Sequence, residues 1–247
     1  MKKTFLILLS IISFNAYSQT GINSSDGVLT VEVPTHIDVL EGYPSGDELN
    51  PEAIEYYRKG TESIFDNPKK AIDYLIKAIN YDPKFVQAYD NLGKVYRGLE
   101  KYDLAIKSYN ISLKIFPSGS VAHQNLAVVY SKQNMWTKAI EEYKILVKLK
   151  PQDPEGYYGL AIHYRNEDDL NLALSNALKA LMLYKKNPPN YIGDGYALIG
   201  LIYYDLGDKA QAKTYIQIAK EKYISNNLEY VYNNTFSSNI LKELSIE

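Results

Sequence analysis

The sequence predicts an all-α fold: a solenoid of about five stacked helical hairpins closed by a capping helix. Three observations carry this. Similar residues recur at intervals of 34 positions, each period holds two apolar stripes at helical spacing, and a proline closes the clearest periods. Helices of about 12 to 15 residues are marginal alone in water, so hairpins of this kind must bury their stripes against one another.

The period is read from four columns. Leu92, Leu126 and Leu160 are 34 apart, as are Tyr96, Tyr130 and Tyr164, Ala105, Ala139 and Ala173, and Pro83, Pro117 and Pro151. Internal repeats of this length are the signature of stacked supersecondary units.

The elements follow in order. Residues 1–18 read as a signal peptide: Lys2 and Lys3, an apolar run from Phe5 to Phe14, then Ala16-Tyr17-Ser18 with small residues where signal peptidase needs them. The run is short for a membrane span, which needs about 20 residues. Cleavage after Ser18 removes two lysines and takes the formal charge from −2 to −4. Residues 19–51 are rich in Gly, Ser, Pro and Asp and read as an extended linker. Within them Val28, Val31, Val33, Ile37, Val39 and Leu40 form a β-branched apolar stretch that Pro34 bars from a central strand. This segment is either a tether or a strap that docks on the array.

The first hairpin occupies 52–85. Ala71, Ala78 and Pro83 keep the period, while Tyr56 and Gly60 precede Tyr89 and Gly93 by 33, so its turn at Asp66-Asn67-Pro68 is one residue short. The second, 86–119, shows both stripes plainly: Ala88, Tyr89, Leu92, Val95, Tyr96 and Leu99, then Tyr102, Leu104, Ala105, Tyr109, Ser112, Leu113 and Phe116. Pro117 ends it, since proline offers no N–H and restricts the residue before it. The third, 120–153, carries His123, Leu126, Ala127, Tyr130, Trp136, Ala139, Tyr143 and Pro151. The fourth, 154–187, carries Tyr157, Leu160, Ala161, Tyr164, Leu170, Ala173, Ala177 and Ala180 and has Lys185 in place of the closing proline. Leu160 to Ile199 is 39 residues, so Lys185 to Ile192, with Pro188 and Pro189, is an insertion. The fifth, 193–226, carries Tyr196, Ile199, Gly200, Tyr203, Gly207, Ala212 and Ala219. Residues 227–247 repeat apolar positions near helical spacing and read as a capping helix, interrupted around Asn233-Asn234; a dimerisation helix is the alternative.

Ala88-Tyr89-Asp90-Asn91-Leu92-Gly93, with Tyr96, Tyr102, Ala105, Tyr109 and Pro117, resembles the tetratricopeptide repeat. The resemblance covers about 70% of the chain. It implies a right-handed superhelix whose first helices line a concave groove. It also implies which residues face a partner: Tyr57 and Thr61; Gln87, Asp90, Lys94 and Arg97; Gln124, Val128 and Ser131; Tyr158, Ile162 and Arg165; Ala197, Leu201 and Tyr204. Arg97, Tyr158, Arg165 and Tyr204 are the expected hot spots, since arginine and tyrosine dominate such surfaces. Asn91 and Asn125 resemble the asparagines with which some members clamp a terminal carboxylate, but Asp90 and Gln124 stand where those members carry lysine.

Composition narrows the function. A formal charge of −2 argues against nucleic acid as a partner. With no cysteine there is no disulfide, thiolate catalyst or cysteine-bound zinc. The 24 tyrosines, against 6 phenylalanines and 1 tryptophan, suit half-buried seams and binding surfaces. His36, His123 and His163 lack a metal-ligand partner at i+4. Glu167-Asp168-Asp169 lacks the loop of an EF-hand and sits at a hairpin turn, where Asp168 or Asp169 can cap the next helix. Gly193-Asp194-Gly195 is not followed by a phosphate-binding Gly-Lys-Ser/Thr. No catalytic residue, cofactor or metal is expected. The expected function is a non-enzymatic exported scaffold, in the periplasm or outside a bacterial cell, that binds a protein or peptide. The alternative is an accessory part of an envelope assembly.

Overall fold

The computed structural model describes residues 49–186, 188–189 and 191–246; the signal-peptide reading and nearly all of the linker fall outside them. Twelve α-helices and no strand occur among the described residues: α1 (Pro51–Glu62), α2 (Pro68–Tyr81), α3 (Val86–Gly98), α4 (Tyr102–Ile115), α5 (Ser120–Lys132), α6 (Trp136–Leu149), α7 (Pro154–Asn166), α8 (Leu170–Tyr184), α9 (Ile192–Asp205), α10 (Lys209–Ser225), α11 (Glu229–Thr235) and α12 (Ser238–Glu243). They fall into two compact units, 49–135 and 136–246, divided between α5 and α6.

Local chemistry sets the helix ends. Asn50, Asn67, Asp153, Asp169 and Asp208 each accept a backbone N–H from the first turn of α1, α2, α7, α8 and α10. Pro51, Pro68 and Pro154 follow three of these caps, where a missing N–H costs nothing. Each of the four later hairpin turns holds one residue of left-handed φ at the same place in the period: Glu100 (58°), Asn134 (58°), Asp168 (65°) and Gly207 (83°). Only the last is glycine, the residue suited to this conformation.

In the first unit, α1 pairs with α2 and α3 with α4, while α2 packs on α3 and α4 on α5. The seams are small-to-large. Ala53, Ala78 and Ala88 enclose Phe85, and Ala105 and Ala122 enclose Tyr109, Leu126 and Val129. Gly93 permits the closest approach: a Cβ there would lie 2.5 Å from the Tyr109 ring. Aromatic and small residues of the period therefore meet as partners across one hairpin.

In the second unit, α7 pairs with α8 and α9 with α10, α6 packs on α7, and α8 on α9. One cluster joins Tyr158, Ala161, Ile162, Ala173, Ala177, Leu181, Tyr184 and Ile199. His163 is buried against Trp136 and Tyr143, its Nδ1 2.6 Å from the Gly159 carbonyl, and burial lowers its pKa to about 4. The insertion lies between α8 and α9, which end and begin at Tyr184 and Ile192. The C-terminal segment is two short helices, and its break is not at Asn233-Asn234, which α11 includes. It falls at Phe236-Ser237, where Phe236 is extended and buried and Ser237 caps α12. Leu228, Val231, Tyr232, Phe236, Leu244 and Ile246 are buried with Ala212, Ile216, Ala219 and Tyr223.

Candidate partner-binding face

Successive first helices touch within each unit. In the first, Asn91 Nδ2 of α3 donates to the Tyr57 hydroxyl of α1 at 2.8 Å, and the Tyr57 ring packs 4.8 Å from Phe85. Burial pushes the Tyr57 phenol up to about 12. Asn91, which resembled a carboxylate-clamp asparagine, thus joins two helices. Asn125 likewise turns inward and donates to the Val121 carbonyl one turn back.

Gln87, Lys94, Arg97 and Gln124 are half-buried, with part of each side chain open to solvent. Gln87 Oε1 is buried and accepts no hydrogen bond. Asp90 is buried, its Oδ1 equally without a donor, and burial raises its carboxyl to about 6 against the opposing effect of Ser112. Burial also lowers the Lys94 ammonium, and the Arg97 charge adds to this. The face is therefore mixed in charge, with acceptors at its start and two cations at its end.

In the second unit the two first helices are tied by Arg165 of α7, whose Nε donates to Asp205 Oδ2 of α9 at 2.6 Å; both side chains are about nine-tenths buried. Leu201 is half-buried against the terminal cluster. Tyr204 donates to Glu243 of α12, whose other oxygen lies 2.7 Å from Lys209 Nζ.

Five expected contact residues are interior and are corrected. Tyr158 and Ile162 belong to one core cluster and Ala197 to another, Val128 is buried, and Ser131 turns its hydroxyl inward to the Ala127 carbonyl. The second-unit seam draws its volume from the first helix as well as the second, so Tyr158 and Ile162 fill the space between hairpins. The Tyr158 ring meets Tyr184 edge-on at 6.3 Å. Arg165 is committed to an ion pair inside the protein and is not a free anchor.

Sequence reasoning gave no role to Glu155 and Asp194, the second residues of the fourth and fifth periods. The period itself marked Glu155, which lies two repeats beyond Gln87. Tyr184 and Tyr191 donate to Glu155 Oε1 at 3.0 and 3.4 Å, while Oε2 is buried without a partner. Burial raises this carboxyl to about 8, and Asp153 and Asp194 push the same way. Asp194 accepts from Tyr223 and is raised by burial to about 6.

Among the described residues no group of three or more His, Cys, Asp or Glu side chains can hold a metal ion. No helix among them is long and apolar enough to cross a membrane.

Tetratricopeptide repeat models match residues 86–118, 122–155 and 193–219. A small glutamine-rich tetratricopeptide repeat-containing protein 2 of Mycosarcoma maydis is 32% identical over 84 residues, which span 33% of this chain and 24% of that protein. MamA (residues 41 to the end) from Desulfovibrio magneticus RS-1 superposes with a TM-score of 0.65 at 19% identity, covering 72% of this chain and 98% of that one. YrrB, described as a TPR protein with an unusual peptide-binding site, superposes with a TM-score of 0.58 at 21% identity, covering 73% of this chain and 91% of its own. At these identities the likeness is one of fold, an α-solenoid of tetratricopeptide hairpins.

Proposed function

We propose that this chain is a non-enzymatic, exported scaffold that binds a protein or peptide through the faces of its first helices. The observation that carries the reading is the character of those faces. Gln87, Lys94, Arg97 and Gln124 stay half-open, while Gln87 Oε1 and Asp90 Oδ1 are desolvated acceptors without donors. A desolvated acceptor costs about 1 to 3 kcal/mol unless something donates to it. An extended peptide or partner helix brings backbone and side-chain N–H groups to such a surface. The peptide-binding site named for YrrB supports the reading by analogy of fold. Export rests on the N-terminal pattern of Lys2, Lys3 and the apolar run to Phe14.

In-cell crosslinking followed by mass spectrometry tests the binding reading. A captured protein should be lost when Gln87 and Arg97 are changed to alanine, since both are partly open and their loss leaves the core intact. A partner captured equally well by the double variant would refute these contacts. The intact mass of the chain from its native cells tests export: a mature species should begin at Gln19.

A further inference from the structure

We propose that Glu155 and the tyrosines around it form a receptor for the ammonium group of a lysine side chain carried by the partner peptide. The inference rests on the peptide-binding reading and gives that peptide a chemistry.

The site is built by three segments of the second unit. Glu155 and Tyr158 come from the first two turns of α7, Tyr184 from the end of α8, and Tyr191 from the residue before α9. Tyr184 stands at its centre, edge-on to Tyr158 at 6.3 Å and to Tyr191 at 6.1 Å. Two phenols saturate one face of the carboxyl through Oε1, and Oε2 is left buried with no donor. Once the carboxyl is ionised Oε2 can only accept, so what this atom lacks is a donor.

Charge points the same way. Asp153, the cap before α7, and Asp194 on α9 act on Glu155 with the same sign, and no lysine or arginine is among the groups that set its proton affinity. The faces of tyrosine rings add negative potential, as in the aromatic cages that hold ammonium ions. Tyr158 and Tyr184 are buried, whereas Tyr191 is half-buried and is the ring of the three most open to solvent. A lysine suits this geometry better than an arginine. The guanidinium fork prefers both oxygens of a free carboxylate, and Oε1 here already accepts two phenols. An ammonium has three donors on one compact centre, enough for Oε2 and neighbouring hydroxyls, and its methylene stem can lie along the rings.

Since burial holds the Glu155 proton up to about pH 8, an entering ammonium displaces that proton, and affinity rises with pH. The titratable groups facing it are Asp153 before α7, Tyr158 on α7, Tyr184 on α8, Tyr191 before α9 and Asp194 on α9.

The test titrates the full chain with acetyl-Gly-Lys-Gly-amide and with the same peptide bearing norleucine, reading amide chemical shifts. The lysine peptide should bind about tenfold or more tightly than the norleucine peptide at pH 8.5, and this preference should shrink at pH 6.5. Glu155→Gln should abolish the preference, and Tyr191→Ala should weaken it. Equal binding of the two peptides overturns the proposal, as does a lysine preference that survives Glu155→Gln. If Glu155→Gln does not fold, Tyr191→Ala decides, and an undiminished preference there overturns it. A partner whose capture depends on Gln87 and Arg97, with no lysine preference in the peptides, sinks this proposal alone. A lysine preference with no captured partner does the reverse.

Discussion

Buried carboxyls give the second unit a pH response. Glu155 is raised from 4.5 to about 8 and Asp194 from 3.8 to about 6, both first by burial. A carboxyl with a raised folded pKa binds its proton more tightly in the folded state. Its contribution to stability is therefore present at low pH and is lost as pH rises through the folded value. Urea midpoints should fall between about pH 5 and pH 8, and Glu155→Gln should flatten the upper part of that decline. A midpoint constant from pH 5.5 to 8.5 would contradict the burial of this group. Tyr158 gives a second prediction. Its replacement by alanine empties a core position and should cost about 3 to 5 kcal/mol, while phenylalanine should cost much less. Equal, small losses in urea denaturation would place the ring at the surface. The repeat made Tyr158 a groove residue because periodicity assigns a side chain to one helix face. It does not say how deep the neighbouring hairpin sits on that face. Gln87, Lys94 and Arg97 share the same assignment and do stay partly open.

Helix pairs depend on close approach at small residues. Gly93 faces the ring of Tyr109, and Gly60 faces Leu75 across the first hairpin. Gly93→Ala leaves the added methyl 2.5 Å from the Tyr109 ring, which is fully buried and has little room to move. The expected loss is about 1 to 3 kcal/mol, read as a lower denaturation midpoint. A neutral outcome would mean that α3 and α4 can separate freely. These contacts were legible as columns of small and aromatic residues 34 apart. The turns were less so: Glu100, Asn134 and Asp168 adopt left-handed φ, which nothing in their identity as a set demands. The period placed them, and the geometry of reversing one helix onto the next imposed the conformation.

The ends of the array matter to the whole molecule because a stack of hairpins leaves its last apolar face open. Here α11, α12 and the residues after them bury that face, with Phe236, Leu244 and Ile246 against the terminal cluster and Lys213 Nζ donating to the Ser245 carbonyl at 3.0 Å. A chain ending at Asn226 should unfold at lower temperature and self-associate, seen by calorimetry and sedimentation. Unchanged melting and a monomeric truncated chain would count against a covering role. The helices, the 34-residue unit, the late start of the fifth hairpin and the lack of a recognisable catalytic motif can all be read along the chain. Each of these follows from local chemistry: apolar spacing, prolines, capping residues and residue types present or absent. Packing between hairpins is what makes Tyr158, Ile162 and Val128 interior, ties Arg165 to Asp205, and brings Glu155 and Asp194 near one another among tyrosines. Those facts depend on distances between residues of different hairpins, and a repeat pattern fixes what each hairpin offers without fixing what its neighbour covers.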